Sequence, residues 1–435
     1  MEFTLLQLTE NLKIAFRADE LSLIFAAITT VMWILTGIYS FGYMEHDEHK
    51  KRYAFFYILV YFVLMGLDFS ANLITMYLFY ELMTLTSVPL ILHEMKEESV
   101  SAAMKYLYYS IAGAFMSLFG IFVLSQYAPT IDFVAGGSIV AAELSHGGLV
   151  LAGVFLMLIG FGAKAGMFPL HAWLPIAHPV APAPASAVLS GIIAKSGVLA
   201  IIRVVFYVVG PEVLRGSWVQ TAWMVLTLLT VVMGSVRAYE EKVLKKRLAY
   251  STVSQISYIL FGLSTLHPLG FVGAMLHVIF HAVAKNLLFL GAGSIIHQTG
   301  KIRVTELREI GRQMPVTLGC FGFAALSLVG IPPFSGFFSK WYLANGALAS
   351  EIGGFSWAGP VVLLLSALLT AGYLFPVVVQ GFLPGKEYDI KAPEKCEAGL
   401  NMTIPMVVLA VLTLLLGILS SGIIEFLTQL ANSLV

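Results

Sequence analysis

Long apolar runs separated by short polar links recur along the chain. A hydrocarbon layer of about 30 Å takes about 20 apolar residues per helix. On that length scale twelve spans are predicted, at 20–43, 53–68, 70–93, 104–127, 148–171, 180–208, 218–238, 249–266, 271–296, 315–344, 357–383 and 404–430. The second span is short and joins the third through the tight turn Asp68-Phe69-Ser70, whereas the tenth is long and interrupted. The pattern predicts an all-α polytopic membrane protein of about twelve transmembrane helices.

Charge placement tests that topology. Cytoplasmic loops of membrane proteins carry an excess of Lys and Arg. With these spans, 17 basic residues fall on one side and only Lys13, Arg17 and Arg215 on the other. The basic side includes Lys50, Lys51 and Arg52, the cluster Arg237, Lys242, Lys245, Lys246 and Arg247, and the loop lysines Lys386, Lys391 and Lys395. The basic side is therefore expected to be cytoplasmic, in the cytoplasmic (inner) membrane, with both termini outside. Composition agrees: of 435 residues 58% are hydrophobic and 11% charged, with a mean hydropathy of +0.87 and zero formal net charge. That balance gives no reason to expect nucleic acid as a partner, and the lipid bilayer is the expected surroundings. Cys320 and Cys396 lie far apart in no metal-binding spacing, so no disulfide framework, zinc or iron–sulfur site is expected in this chain. The first twenty residues are polar-interrupted and do not read as a secretory leader.

Few ionisable groups remain within the spans: Lys164, Lys195, Arg203, Lys285, Lys340, Glu81, His277 and His281. A charge at the bilayer centre costs at least about 2.5–3.5 kcal/mol, and such groups tend to mark ion or proton paths. Arg203, nearer a span end, is expected to snorkel. Lys164 and Lys195 sit mid-span, and a lysine in a partly dry site can exchange a proton near neutral pH. His277, His281 and Lys285 are spaced four and four, which makes one polar stripe on an apolar helix. The bland alternatives are charges that staple helices together and histidines that only fill a core. Three ionisable groups at successive turns favour a titratable chain instead, since histidine titrates closest to physiological pH. Two histidines at this spacing could form half of a zinc site, but no acid or cysteine accompanies them.

Two spans carry helix breakers beside a lysine. "GFGAKAGMFP" (160–169) has Lys164 among glycines ahead of Pro169, and "GIPPFSGFFSK" (330–340) has Pro332 and Pro333 ahead of Lys340. Broken backbone at membrane depth is tolerated only where it is buried in protein or lines a wet cavity. The two breaks lie five spans apart. Two inverted five-helix repeats are expected, at 53–208 and 209–383, with 1–52 ahead of them and 384–435 behind; each repeat holds one broken helix. Paired breaks of this kind point to an ion site in transporters.

"AKAGMFPLHAWLPIAHPVAPAPASAVLSGIIAKSGVLAIIR" (163–203), "KKRLAYSTVSQISYILFG" (245–262), "HVIFHAVAKNLLFLGAG" (277–293) and "GIPPFSGFFSKWYL" (330–343) resemble the antiporter-like membrane subunits. That family is shared by respiratory complex I, Mrp-type Na+/H+ antiporters and energy-converting membrane-bound hydrogenases. The resemblance runs from about Ala18 to the C-terminus, and "HPVAPAPASAVLSG" is closer to the hydrogenase and Mrp branches. It implies a proton or ion relay of Glu81, Lys164, Lys195, His277, His281, Lys285 and Lys340. Glu81 would pair with Lys164, and Lys340 would end the relay. It also implies further antiporter-like and small membrane subunits as partners, and peripheral redox subunits holding iron–sulfur clusters and NiFe or flavin centres, with no cofactor in this chain. The sequence departs from the family in three places. The family usually has two helices ahead of the "DELS" segment, which are lost here or supplied by a separate subunit. Ile176 follows "WLP" where many members have an acid, and the chain stops at Val435 without a long lateral helix. The expected function is ion translocation within a redox-driven complex, a non-redox part of an oxidoreductase; the alternative is a subunit of an Mrp-type secondary antiporter.

Overall fold

A computed structural model describes residues 2–385 and 394–435, apart from residues 8, 10, 11, 141 and 143–145. Lys386 and Lys391 of the basic tally lie outside the described residues. A hairpin of β1 (Glu2–Gln7) and β2 (Lys13–Arg17) precedes the helices, with Glu2 opposite Arg17. The span pattern does not predict it. Lys13 anchors it through ion pairs to Glu2 and Asp132, and the Ala15 amide donates to Thr75 Oγ1.

The helices that follow are α1 (Glu20–Tyr43), α2 (Lys50–Asp68), α3 (Leu73–Ile91), α4 (Glu97–Tyr127), α5 (Gly147–Ala165), α6 (Trp173–Val180) and α7 (Ala183–Val209). They continue as α8 (Trp218–Glu240), α9 (Leu244–Ser264), α10 (Pro268–Thr299), α11 (Pro315–Val329), α12 (Ser335–Ala349), α13 (Phe355–Phe382), α14 (Leu400–Ile418) and α15 (Ser420–Leu434). Nine helices among the described residues are long and apolar enough to cross a bilayer, and the chain is a multi-pass membrane protein. α2 and α9 reach span length but fall outside those nine, and the interrupted pair α11 and α12 is too short piece by piece. The last predicted span is two helices meeting at Leu419, whose amide still bonds Leu415.

The connections gather at two ends. At one, Arg52 donates to the His93 carbonyl, Val243 bridges Arg303, and the Glu309 amide donates to Gln380. At the other, the Arg17 amide donates to Phe69, Leu73 to Ile131, Val134 to Tyr207, and the Arg215 guanidinium to Leu266. The basic loops thus share one end. α2 starts at that end and α8 at the opposite one. In each set of five spans the third helix is longest, 31 residues in α4 and 32 in α10. The fourth is interrupted after a glycine in the left-handed region, Gly166 at φ 76° and Gly330 at φ 92°.

The core is built on α7 and α10. Every residue of α7 is buried, including Lys195 and Arg203, while α13 exposes apolar side chains such as Leu364 and Leu368 on the outer surface. α7 does not run as a plain α-helix: residues Leu189–Ile193 and Val204–Val209 form π turns. π turns are single-turn insertions that recur at functional sites. At the first, Gly191 lies directly on the Asn286 side chain of α10; an added methyl would overlap Asn286 Nδ2 and sit 2.9 Å from its Cγ. Asn286 in turn accepts from Thr36 of α1 at 3.2 Å and donates to Ala282 O at 2.8 Å, so this contact joins three helices.

Arg203 does not snorkel. It is 1% exposed, and its guanidinium grips Asp19 in two bonds of 2.6 and 2.8 Å while a third reaches Ser22 Oγ at 2.9 Å. Asp19 caps α1 by accepting from the Ser22 amide. Burial works against the Asp19 charge, but Arg203 and Ser22 hold its carboxyl below the ordinary carboxylate value.

Two outcomes are expected. Gly191→Ala should cost about 1–3 kcal/mol through forced repacking, read as a lower melting temperature of the purified protein. Asp19→Asn leaves a buried guanidinium unpaired and should cost about 3–5 kcal/mol at neutral pH. Because the folded carboxyl titrates below its unfolded value, its contribution is complete above about pH 4 and fades as pH falls through the lowered value. Melting curves of the two proteins should therefore converge on acidification.

Candidate functional site

Lys164 occupies the last turn of α5, one residue before the helix end that Gly166 terminates. An ammonium has three donors, and all three find hydroxyls: Thr84 Oγ1 at 2.8 Å, Tyr106 OH at 2.9 Å and Ser110 Oγ at 2.9 Å. Its Nζ also lies 4.4 Å from the centre of the Tyr106 ring, within cation–π range. These partners come from α3 and α4, so three helices build one cage.

Glu81 stands on α3, half-buried, with its Oε1 buried and without a protein partner. It and Lys164 feel each other's charge. No ion pair within 4 Å joins them among the described residues: the pair expected from the resemblance is a neighbouring charge, with the hydroxyl cage taking the direct contacts.

A second group gathers around α7 and α10. Lys195 turns back on its own helix and donates to the carbonyls of Gly191 at 2.5 Å and Ser190 at 3.4 Å, oxygens of the first π turn. Lys285 donates to Leu248 O of α9 at 3.0 Å. The rings of His277 and His281 are 5.8 Å apart, and His277 also stacks on Tyr258 at 5.5 Å. His277 Nδ1 pairs with Ser339 Oγ at 2.9 Å, across to α12. Next to Ser339, Lys340 donates to Leu328 O at 2.7 Å and Val329 O at 2.8 Å, two carbonyls freed where α11 ends at Gly330. Its Nζ sits 5.3 Å from the Tyr258 ring. His277 feels the charges of Lys340, Lys195 and Lys285, and His281 those of Lys195 and Lys285.

The sequence-read residues therefore fall into two clusters: Glu81 with Lys164, and Lys195, His281, His277, Lys285 with Lys340. Between them α5 and α7 touch closely. A methyl on Gly197 would overlap the Phe161 carbonyl and sit 2.8 Å from the Ala165 nitrogen. No hydrogen bond joins Lys164 to Lys195 among the described residues.

In the second cluster several buried polar atoms have no protein partner: His277 Nε2 and both nitrogens of His281. Buried polar groups in native proteins are almost always hydrogen-bonded, to protein or to ordered water. These atoms are therefore where bridging water would be held.

Three further ionisable residues belong to this interior. His178 of α6 is buried, stacks on Phe289 at 4.6 Å, and feels Lys245 and Lys285. Lys245, counted with the loop lysines, is instead 8% exposed and donates to Ala181 O at 2.6 Å. Asp68, expected in a turn, is the last residue of α2 and 3% exposed. His171 lies in the link between α5 and α6, stacked on Phe168, and the chain runs on through α6 before reaching the basic end. In the sequence His178 is a histidine inside the quoted motif and Lys245 a basic residue just ahead of a span. Neither spacing nor composition marks them as buried. Among the described residues no group of three His, Cys, Asp or Glu is placed to hold a metal ion.

The family pattern described as NADH:quinone oxidoreductase/Mrp antiporter, TM, matches residues 70–383, and that of NADH-Ubiquinone oxidoreductase (complex I), chain 5 N-terminus, matches residues 7–54. The chain is 32% identical over 412 residues to the NADH-quinone oxidoreductase subunit N of Desulforudis audaxviator, covering 91% of this chain and 80% of that one. It is 29% identical to Hydrogenase-4 component B of Escherichia coli, covering 97% of this chain but 64% of that longer protein. In fold it is similar to a chain of the Mrp complex from Dietzia sp., with a TM-score of 0.86 at 22% identity, over 100% of this chain and 87% of the other. With its residues 70–383 matched by one family pattern and its N-terminal segment by a second, the chain belongs to the NADH:quinone oxidoreductase/Mrp antiporter family of membrane subunits.

Proposed function

We propose that this chain is an ion-translocating membrane subunit of a redox-driven complex, and that protons are the ion moved. The observation that carries the proposal is the solvation of its lysines. Lys164, Lys195, Lys285 and Lys340 are held by hydroxyl and carbonyl oxygens, with no carboxylate within 4 Å among the described residues. A carboxylate would lock the proton on nitrogen; neutral dipoles leave it exchangeable with water. Protons rather than sodium are favoured because a sodium site needs several oxygen ligands around one point, whereas Glu81 stands apart from other acids.

The relay has two stages. A charge change beside Glu81 alters the field at Lys164 and with it the hold of the hydroxyl cage on the proton. Protonation of Lys164 then acts on the second cluster through space, across the Gly197 contact. There the proton moves among Lys195, His281 and His277 toward Lys340, and His178 with Lys245 supplies the approach from the basic end. The two five-span units, at 53–208 and 209–383, each contribute one end of this relay. The basic end faces the cytoplasm across the inner membrane, with both termini outside. Redox centres, iron–sulfur clusters with NiFe or flavin, belong to peripheral partner subunits, and further antiporter-like subunits pack in the membrane. Similarity to the Mrp complex favours the second reading, a secondary Na+/H+ antiporter subunit using the same residues.

The expected result of Lys164→Ala or Glu81→Gln in the assembled complex is at least a tenfold loss of ion translocation into sealed vesicles, with normal subunit content. Translocation at the parental rate in both variants, with assembly intact, would overturn the relay. Identifying the subunits that co-purify with the chain separates the two readings, since redox subunits support the first and their absence the second.

A further inference from the structure

Asp68 has no place in the relay as drawn, yet it is a buried carboxyl that touches the same interior. It closes α2 at the end opposite the basic loops, where the Phe69 carbonyl accepts from the Arg17 amide of β2. Thr29 of α1 donates to Asp68 Oδ2 at 3.1 Å. No ammonium or guanidinium lies within 4 Å of Asp68 among the described residues. Asp68 and Thr29 line a cavity of about 10 Å³ whose far wall is Lys195 and Ser196 of α7. That is about the space one water occupies.

On the other side of Asp68 the polar groups continue. Asp68 feels the charge of Arg203, which stands eight residues beyond Lys195 on α7, and Arg203 is fixed by Asp19 and Ser22. Asp19, with Arg17, Glu20 and Tyr207, lines an open cavity of about 360 Å³ at the end away from the basic loops. From Lys195 outward the order is a single-water cavity, a carboxyl with a hydroxyl donor, a clamped guanidinium, and an open vestibule.

We infer that Asp68 is a relay carboxylate that connects Lys195 to the vestibule at the end opposite the basic loops, giving the first five-span unit its own outlet. The inference rests on the relay reading of Lys195. In the step, the Lys195 ammonium gives one proton through one water to the Asp68 carboxylate, leaving a neutral amine and a carboxylic acid. The acid then releases that proton toward the vestibule and becomes carboxylate again. Thr29 keeps the carboxyl aimed at the cavity. Arg203, pinned by Asp19, places a fixed positive charge beyond Asp68, so the outlet favours a carboxylate there over a second cation.

The test uses the assembled complex in sealed vesicles. Asp68→Asn should lower translocation at least tenfold with assembly kept, Asp68→Glu should restore most of it, and Thr29→Val should lower it several-fold. Parental translocation in Asp68→Asn, alongside loss in Lys164→Ala and Lys195→Ala, overturns the outlet and leaves the relay standing. Parental translocation in all of these variants overturns the relay reading itself. Where Asp68→Asn does not assemble, Thr29→Val decides, and its unchanged translocation overturns the outlet.

Discussion

A cation inside a membrane protein must be solvated by the protein, and that requirement organises this structure. Two of the buried ammonium groups stand where helix geometry has released oxygen atoms. Lys340 takes the carbonyls left open where α11 stops, and Lys195 takes those of the π turn in its own helix. Lys164 has a whole helix end behind it and finds hydroxyls on two neighbours instead. The breaks in regular structure and the lysines therefore belong together. A carbonyl freed at bilayer depth is costly without a donor, and an ammonium there is costly without acceptors; each removes the other's penalty.

The same requirement explains why the centre of the molecule is polar while its rim is apolar. α7 and the middle of α10 are wrapped on all sides, so the ionisable groups there meet only protein and whatever water the interior admits. Close helix approach keeps these groups in register. Gly191 lets Asn286 seat against the π turn, and Gly197 lets α7 lie on the backbone of α5. The second contact also separates the two clusters, so their communication is electrostatic before it is chemical.

Much of this is legible in the chain itself. Span positions follow from length and apolarity, the interrupted spans from glycine and proline, and the intramembrane lysines and histidines from their rarity in such runs. The losses have physical causes. Arg203 reads as a snorkelling side chain because its counter-charge, Asp19, is 184 residues away in sequence. Lys245 reads as a loop residue because a basic run does not show which member turns inward. Asp68 is hidden by the short link after it, since a carboxyl near a turn is ordinarily solvated. The β1–β2 hairpin carries no span signal and is held by single contacts such as Ala15 to Thr75.

Glu81 lies partly on the outside of the protein. A carboxylate there takes part of its dielectric surroundings from whatever packs beside α3, whether acyl chain, headgroup or another polypeptide. The free chain and the assembled one are thus different electrostatic objects even with identical coordinates. A neighbour need not move any backbone to speak to Lys164, because changing the polarity of the wall around one side chain is already a signal.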